Sequence, residues 1–206
     1  MKEPFRNYVR TKLGNRFVLI TCGLPGTWKT ETSEDIAKIK GYPLLRTDLF
    51  RLNVLKGQDI FDEKVASNMD KRLLVYDAMF KAAEESLVKG EGVILDATFV
   101  KQSLRKRAAE LAAKAGRRFI ILQTSCPQEA SIRRILSRTK DKYESNALTE
   151  QAYLDNKKKF EAVDMEDIKK AFPYLPATHL TVDTTYDPPE LWFIIGEESI
   201  NKKAGE

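Results

Sequence analysis

Phe17-Val18-Leu19-Ile20-Thr21-Cys22, continued by Gly23-Leu24-Pro25-Gly26-Thr27-Trp28-Lys29-Thr30, is a short apolar run that feeds a glycine loop. The loop opens a helical pattern that ends near Gly41. A strand, a tight loop and a helix beginning on Lys-Thr are the physical plan of a phosphate-binding loop. Its backbone N–H groups converge on an anion, and the helix dipole favours the negative charge. In this reading Gly23, Gly26, Thr27, Trp28, Lys29 and Thr30 cradle a nucleotide's phosphates. Lys29 reaches the β- and γ-phosphates, and the Thr30 hydroxyl ligates Mg²⁺. One position departs from G-x-x-x-x-G-K-[ST]: Trp28 stands where glycine supplies unusual φ/ψ and a close backbone approach. A tryptophan here is expected to keep ordinary backbone angles and to turn its indole away from the phosphates, for example against a neighbouring helix. The alternative to a phosphate site is a coincidental glycine turn.

Two stretches downstream extend the pattern. Gly92-Val93-Ile94-Leu95-Asp96-Ala97-Thr98-Phe99 reads as a buried strand with Asp96 at its carboxyl end, where a carboxylate reaches a Mg²⁺ shell; a turn aspartate is the plainer reading. Pro43–Arg46 reads as another strand, followed by Thr47-Asp48-Leu49-Phe50-Arg51. Residues just past a strand's carboxyl end sit where open α/β sheets bind ligands, which singles out Asp48 and Arg51. A helix N-cap explains Asp48 equally cheaply. Further strands are expected at 117–124 and 179–183, and helices at 62–89, 101–115, 128–138, 149–160 and 165–172. Residues 1–15 read as a packed arm, 188–195 as a final amphipathic turn or helix, and the tail from Gly196 as loosely held. The Tyr/Met/Phe stripe of the 62–89 helix reads as core. The polar segment 139–146 reads as a lid flanked by arginines, with Arg133, Arg134 and Arg138 just before it.

A chain of 206 residues, 42% of them hydrophobic, is enough for one sizeable core. We expect a single domain over 1–206, with its core at 16–186, an N-terminal arm at 1–15 and an extension at 187–206. Two cysteines make neither a disulfide framework nor a zinc site. With no signal-like N-terminus or apolar run long enough to span a bilayer, a cytoplasmic protein without membrane association is expected. The net charge of +5 is concentrated in basic runs within 1–16, 101–118 and 131–142. Such runs attract polyanions or form solvated helix faces. Strands alternating with helices imply a three-layer α/β domain with a mainly parallel sheet.

Taken together, Gly23–Thr30, Thr47-Asp48…Arg51, Val93–Thr98, Cys126-Pro127 leading to Arg134…Arg138, and Val182-Asp183-Thr184 resemble the small P-loop kinases. That group includes the polynucleotide kinase domain and gluconate kinase. Its members often carry an AAA label, but nothing here resembles the helical subdomain of ring-forming AAA machines. The resemblance implies a P-loop NTPase fold with a five-stranded sheet in the order 2-3-1-4-5, a helical lid, and ATP-dependent phosphorylation of a hydroxyl. It further implies that Asp48 is a base or substrate anchor, that Arg51 helps hold the acceptor, and that Arg134 and Arg138 contact phosphates from the lid. The expectation is an ATP- and Mg²⁺-dependent kinase. Lys29, Asp48, Arg134 and Arg138 are its catalytic groups, Thr30 and Asp96 hold the metal, and Asp48, Arg51 and Thr98 bind a small-molecule acceptor. Two alternatives stay open: a polynucleotide 5′-hydroxyl kinase that uses the basic runs, and a nucleotide-binding protein with little catalysis because of Trp28. The acceptor and the oligomeric state are not readable from the chain.

Overall fold

The computed structural model describes residues 2–57, 68–138 and 147–201. Strand β2 (Phe17–Cys22) is buried along its whole length. It lies between two parallel neighbours, β4 (Val93–Asp96) and β5 (Arg118–Ser125). Beyond β4 comes β3 (Leu44–Arg46), and beyond β5 comes β6 (Ala177–Asp183), both again parallel. Two further strands, β7 (Phe193–Ile200) and β1 (Glu3–Pro4), add antiparallel to this edge. The full order is β1-β7-β6-β5-β2-β4-β3.

The sheet is therefore mixed and seven-stranded among the described residues, not the five-stranded, mainly parallel sheet expected, although its five inner strands are all parallel. The two added strands come one from each terminus, β1 and β7. The segment 188–195 is a 3₁₀ turn at Pro189–Leu191 followed by the start of β7, and residues 196–200 of the expected loose tail continue that strand, while 202–206 lie outside the described residues. Trp192 anchors it: the ring is 1% exposed, donates through Nε1 to the Tyr186 carbonyl at 2.8 Å, and meets Phe5 edge-on at 6.1 Å. The same contact ties down the N-terminal arm, which is β1 and helix α1 (Phe5–Thr11).

Alternation along the strands builds the two apolar layers. Val18, Ile20, Cys22, Phe119 and Ile121 face one side, under helices α4 (Met69–Lys89), α5 (Gln102–Lys114) and α8 (Met165–Ala171). Phe17, Leu19, Ile120 and Leu122 face the other, under α1 and α2 (Lys29–Lys40). Helix α3 (Thr47–Val54) follows β3, α6 (Gln128–Leu136) follows β5, and α7 (Glu150–Lys159) is capped by Thr149, whose hydroxyl accepts from the Ala152 N–H at 3.1 Å. The expected lid at 139–146 and the first part of the 62–89 helix lie outside the described residues. Among the described residues no helix is long and apolar enough to cross a membrane.

Candidate active site

The loop leaving β2 is shaped by two glycines. Gly23 has φ +139°, and a Cβ there would stand 2.7 Å from the Thr124 carbonyl oxygen. Gly26 has φ +79°, and a Cβ would stand 2.5 Å from the Ser131 carbonyl oxygen. No side chain fits either place. Thr27 braces the loop from within, its hydroxyl 2.8 Å from the Leu24 carbonyl and 2.7 Å from the Thr124 hydroxyl.

Trp28 corrects the expectation of ordinary angles. It is the N-cap of α2, in the left-handed region at φ 58°, ψ 36°. The loop thus keeps the backbone form a glycine would take, at a cost of roughly 1–2 kcal/mol for a residue with a Cβ. The indole packs against the apolar layer under α1 and α2 and lies over the Arg134 guanidinium, whose Cζ is 4.9 Å from the ring centroid. Its Nε1 is buried and closes no hydrogen bond, although the Asp187 carboxylate is near enough to feel it.

Lys29 donates to the Leu24 carbonyl at 2.6 Å. Burial pushes its ammonium below the ordinary value, and Asp96 opposes that shift. The Thr30 hydroxyl donates to Asp96 Oδ2 at 2.7 Å, and the Thr21 hydroxyl to Asp96 Oδ1 at 2.8 Å. Burial raises the Asp96 carboxyl, against the bond from Thr30 and the charge of Lys29. The strand-end aspartate and the first-turn threonine therefore meet through a hydrogen bond.

These groups open into one cavity of about 300 Å³ that also takes in Asp48, Arg51, Thr98 and Arg138. The Thr98 carbonyl accepts from the Gly23 N–H at 3.3 Å, which pins the loop to the end of β4. Asp48 is in the first turn of α3 and is paired with Arg51, Nη1 to Oδ1 at 2.5 Å. The two expected acceptor-binding groups thus hold each other. Arg138, just past α6, is close enough to shift Lys29 and Glu31, and its Nη1 reaches the Ala147 carbonyl at 3.5 Å.

Arg134 is not in that cavity, which corrects its assignment as a phosphate-contacting lid arginine. It is 6% exposed, and a buried guanidinium needs acceptors for all five donors. Nε donates to Asp187 at 2.8 Å, Nη1 to the Gly26 carbonyl at 3.1 Å and to Cys126 Sγ at 3.3 Å. Nη2 donates to the carbonyls of Thr184 and Thr185 at 2.8 and 2.9 Å. Arg134 is a strut behind the loop. Family spacing alone does not separate it from Arg138, one helical turn on.

Sequence reasoning missed Arg46 and Arg72, which also line the cavity. Arg46 Nε lies 3.9 Å from Asp96 Oδ2. Arg72 sits one turn before Tyr76 on α4, on the stripe read as core only. An arginine at that spacing beside apolar positions was the available signal.

A family model described as AAA domain matches residues 18–163. No curated protein matches the chain. Among solved structures, a gluconokinase from Sinorhizobium meliloti 1021 is 20% identical over 84% of this chain and 85% of its own, with a TM-score of 0.55. A sugar kinase from Janibacter sp. HTCC2649 is 18% identical over 86% and 89%, with a TM-score of 0.60. The AvrRxo1-ORF1:-ORF2 complex with ATP is 15% identical over 94% of this chain and 61% of that one, with a TM-score of 0.54. At these identities the likeness is one of fold.

Proposed function

This chain belongs to the AAA-domain family, on the fold of small P-loop kinases, and from that premise we propose that it is an ATP- and Mg²⁺-dependent kinase phosphorylating a hydroxyl of a small molecule. The observation that carries the reading is the Thr30–Asp96 hydrogen bond at 2.7 Å, beside Lys29 and opening into one cavity with Asp48. A hydroxyl and a carboxylate are hard oxygen donors of the kind Mg²⁺ takes together with phosphates and water. Bound there, the ion would supply neutralisation of charge on the β- and γ-oxygens.

The chain's own groups account for the rest. Loop N–H groups and Lys29 hold the β/γ-phosphates of ATP in line with the acceptor. Asp48 takes the proton of the acceptor hydroxyl as the new O–P bond forms, the bond to the β-phosphate oxygen breaks, and ADP leaves. Arg138 offsets charge on the transferring group. Such transfer needs mainly positioning and electrostatics, and this inventory supplies both.

The polynucleotide alternative is not favoured. Along the most basic run, Lys101, Lys106, Arg107 and Lys114 are paired with Glu161, Asp167, Asp77 and Glu110, and Arg105 is buried. Weak catalysis remains a second reading because of the left-handed Trp28.

Calorimetry and ATP turnover on the wild type and Lys29→Ala test the proposal. Saturable MgATP binding is expected in the wild type, with turnover falling about 10²–10³-fold in the variant. A Lys29→Ala protein that binds and hydrolyses ATP normally defeats the assignment.

A further inference from the structure

Across the cavity from the phosphate loop, the wall comes from the β3–α3 junction and the first turns of α4. On it Arg46 lies 3.9 Å from Asp96 and Arg51 is paired with Asp48, while Arg72 brings a third guanidinium. Arg72 is half-buried, next to Val75 and Tyr76, which are 2% and 7% exposed. Burial and the charge of Arg51 both work against its ionised form, opposed in part by Tyr76.

The two arginines buried most deeply, Arg105 and Arg134, are each held by several acceptors. Arg105 donates to three carbonyls, those of Phe99, Ala162 and Glu161, at 2.9, 2.9 and 2.7 Å. Arg134 has five acceptors, as above. Arg72 has none: among the described residues its guanidinium makes no hydrogen bond and no ion pair. The Tyr76 hydroxyl, one turn on along the same helix, already accepts from the Phe99 N–H at 3.2 Å. A half-buried, unanswered guanidinium facing a cavity beside a second one has the chemistry of an anion receptor, since planar forks match carboxylate and phosphate oxygens.

We propose that the acceptor carries an anionic group, a carboxylate or a phosphate, apart from the hydroxyl it offers, and that Arg72 with Arg51 holds that group. This rests on the kinase reading and names its substrate class. It also gives the Asp48–Arg51 pair a use. An anion that draws Arg51 toward Arg72 releases Asp48 Oδ1 to accept the hydroxyl proton, so a neutral acceptor leaves the base tied up.

The test uses the full chain with its nucleotide site saturated by Mg²⁺ and a non-hydrolysable ATP analogue. Inorganic phosphate and acetate are then titrated separately by calorimetry at constant ionic strength. Saturable binding of at least one anion is expected, weakened tenfold or more in Arg72→Gln and partly restored in Arg72→Lys. Binding of phosphate alone points to a phosphorylated acceptor, and binding of acetate to an acid. Uptake of the analogue by the variant reports that it is folded. No saturable anion binding, or binding unchanged in Arg72→Gln, overturns the proposal while leaving the kinase reading intact. Failure of the wild type to take up the analogue fells the kinase reading, and this inference with it.

Discussion

At the phosphate end of the cavity, both oxygens of Asp96 are answered by threonines, Thr27 is tied to Thr124, and Arg134 has an acceptor for each donor. At the end walled by α3 and α4, where the acceptor is proposed to sit, Asp48 and Arg51 answer each other, and among the described residues Arg72 has no hydrogen bond or ion pair. Satisfied buried networks rigidify a unique arrangement, whereas leftover charge is costly until a partner arrives. The contrast teaches that geometry toward the nucleotide is built into the chain. At the α3–α4 end, order is left for the proposed anionic acceptor to complete.

The largest effect that bears on this contrast should come from breaking the closed end. Arg134→Ala removes the strut joining the loop, α6 and the segment after β6, and strands carbonyls in the interior. We expect a loss of about 3 kcal/mol in urea unfolding. Arg134→Lys should recover little, because an ammonium offers three donors and no planar face for Trp28. A cost within about 0.5 kcal/mol, typical of a surface site, would break the comparison.

A smaller effect separates acid stability from acid-sensitive activity. His179 lies on β6, away from the cavity, with its Nε2 2.9 Å from Gln123 Oε1. Burial, with help from Arg105, pushes its pKa down to about 4. In the unfolded chain the imidazole titrates near its ordinary value of about 6.5. Between those values the unfolded state binds the extra proton. Stability from this residue is therefore present above pH ~6.5 and is lost as pH falls toward ~4, by about 2 kcal/mol once partial solvent exposure is allowed for. His179→Gln should flatten that slope in denaturation curves taken across the window, while the pH dependence of ATP turnover stays as it was. An unchanged slope would remove His179 from the account.

What was legible follows the same divide. The β2 run, the two loop glycines, Thr30 and Asp96 could be read because each is a local demand: a buried strand, a positive φ, a donor at a helix start. The partner of a charged side chain is not local. Whether Arg134 or Arg138 faces the cavity depends on Asp187 and Thr184, which arrive from some fifty residues away. The pairing of Asp48 with Arg51 is local, but the leftover charge of Arg72 appears only once α4 is laid against α3. Strand β7 was missed for a similar reason. Gly196 and the adjacent Glu197 and Glu198 look like tail residues until β6 supplies the hydrogen bonds. Residues such as Trp192 and Ile194 hold the strand down on one face.

The smallest effect concerns Trp28, and it sharpens the comparison most finely. Trp28→Gly should relieve left-handed strain of about 1–2 kcal/mol. It also forfeits about 0.5–1 kcal/mol of stacking on Arg134, together with buried apolar surface and some chain entropy. These oppose one another, so the net change in stability should stay within about 1 kcal/mol. Trp28→Ala keeps the strain but loses the ring, and should therefore be less stable than Trp28→Gly by about 1 kcal/mol. The difference between the two variants isolates the backbone term from the contacts. Because the indole is held by Arg134 and the apolar layer, ATP turnover should change less than threefold in Trp28→Gly. A gain of tenfold or more would mean that the closed end is locked at the expense of catalysis, and the weak-catalysis reading would then take precedence.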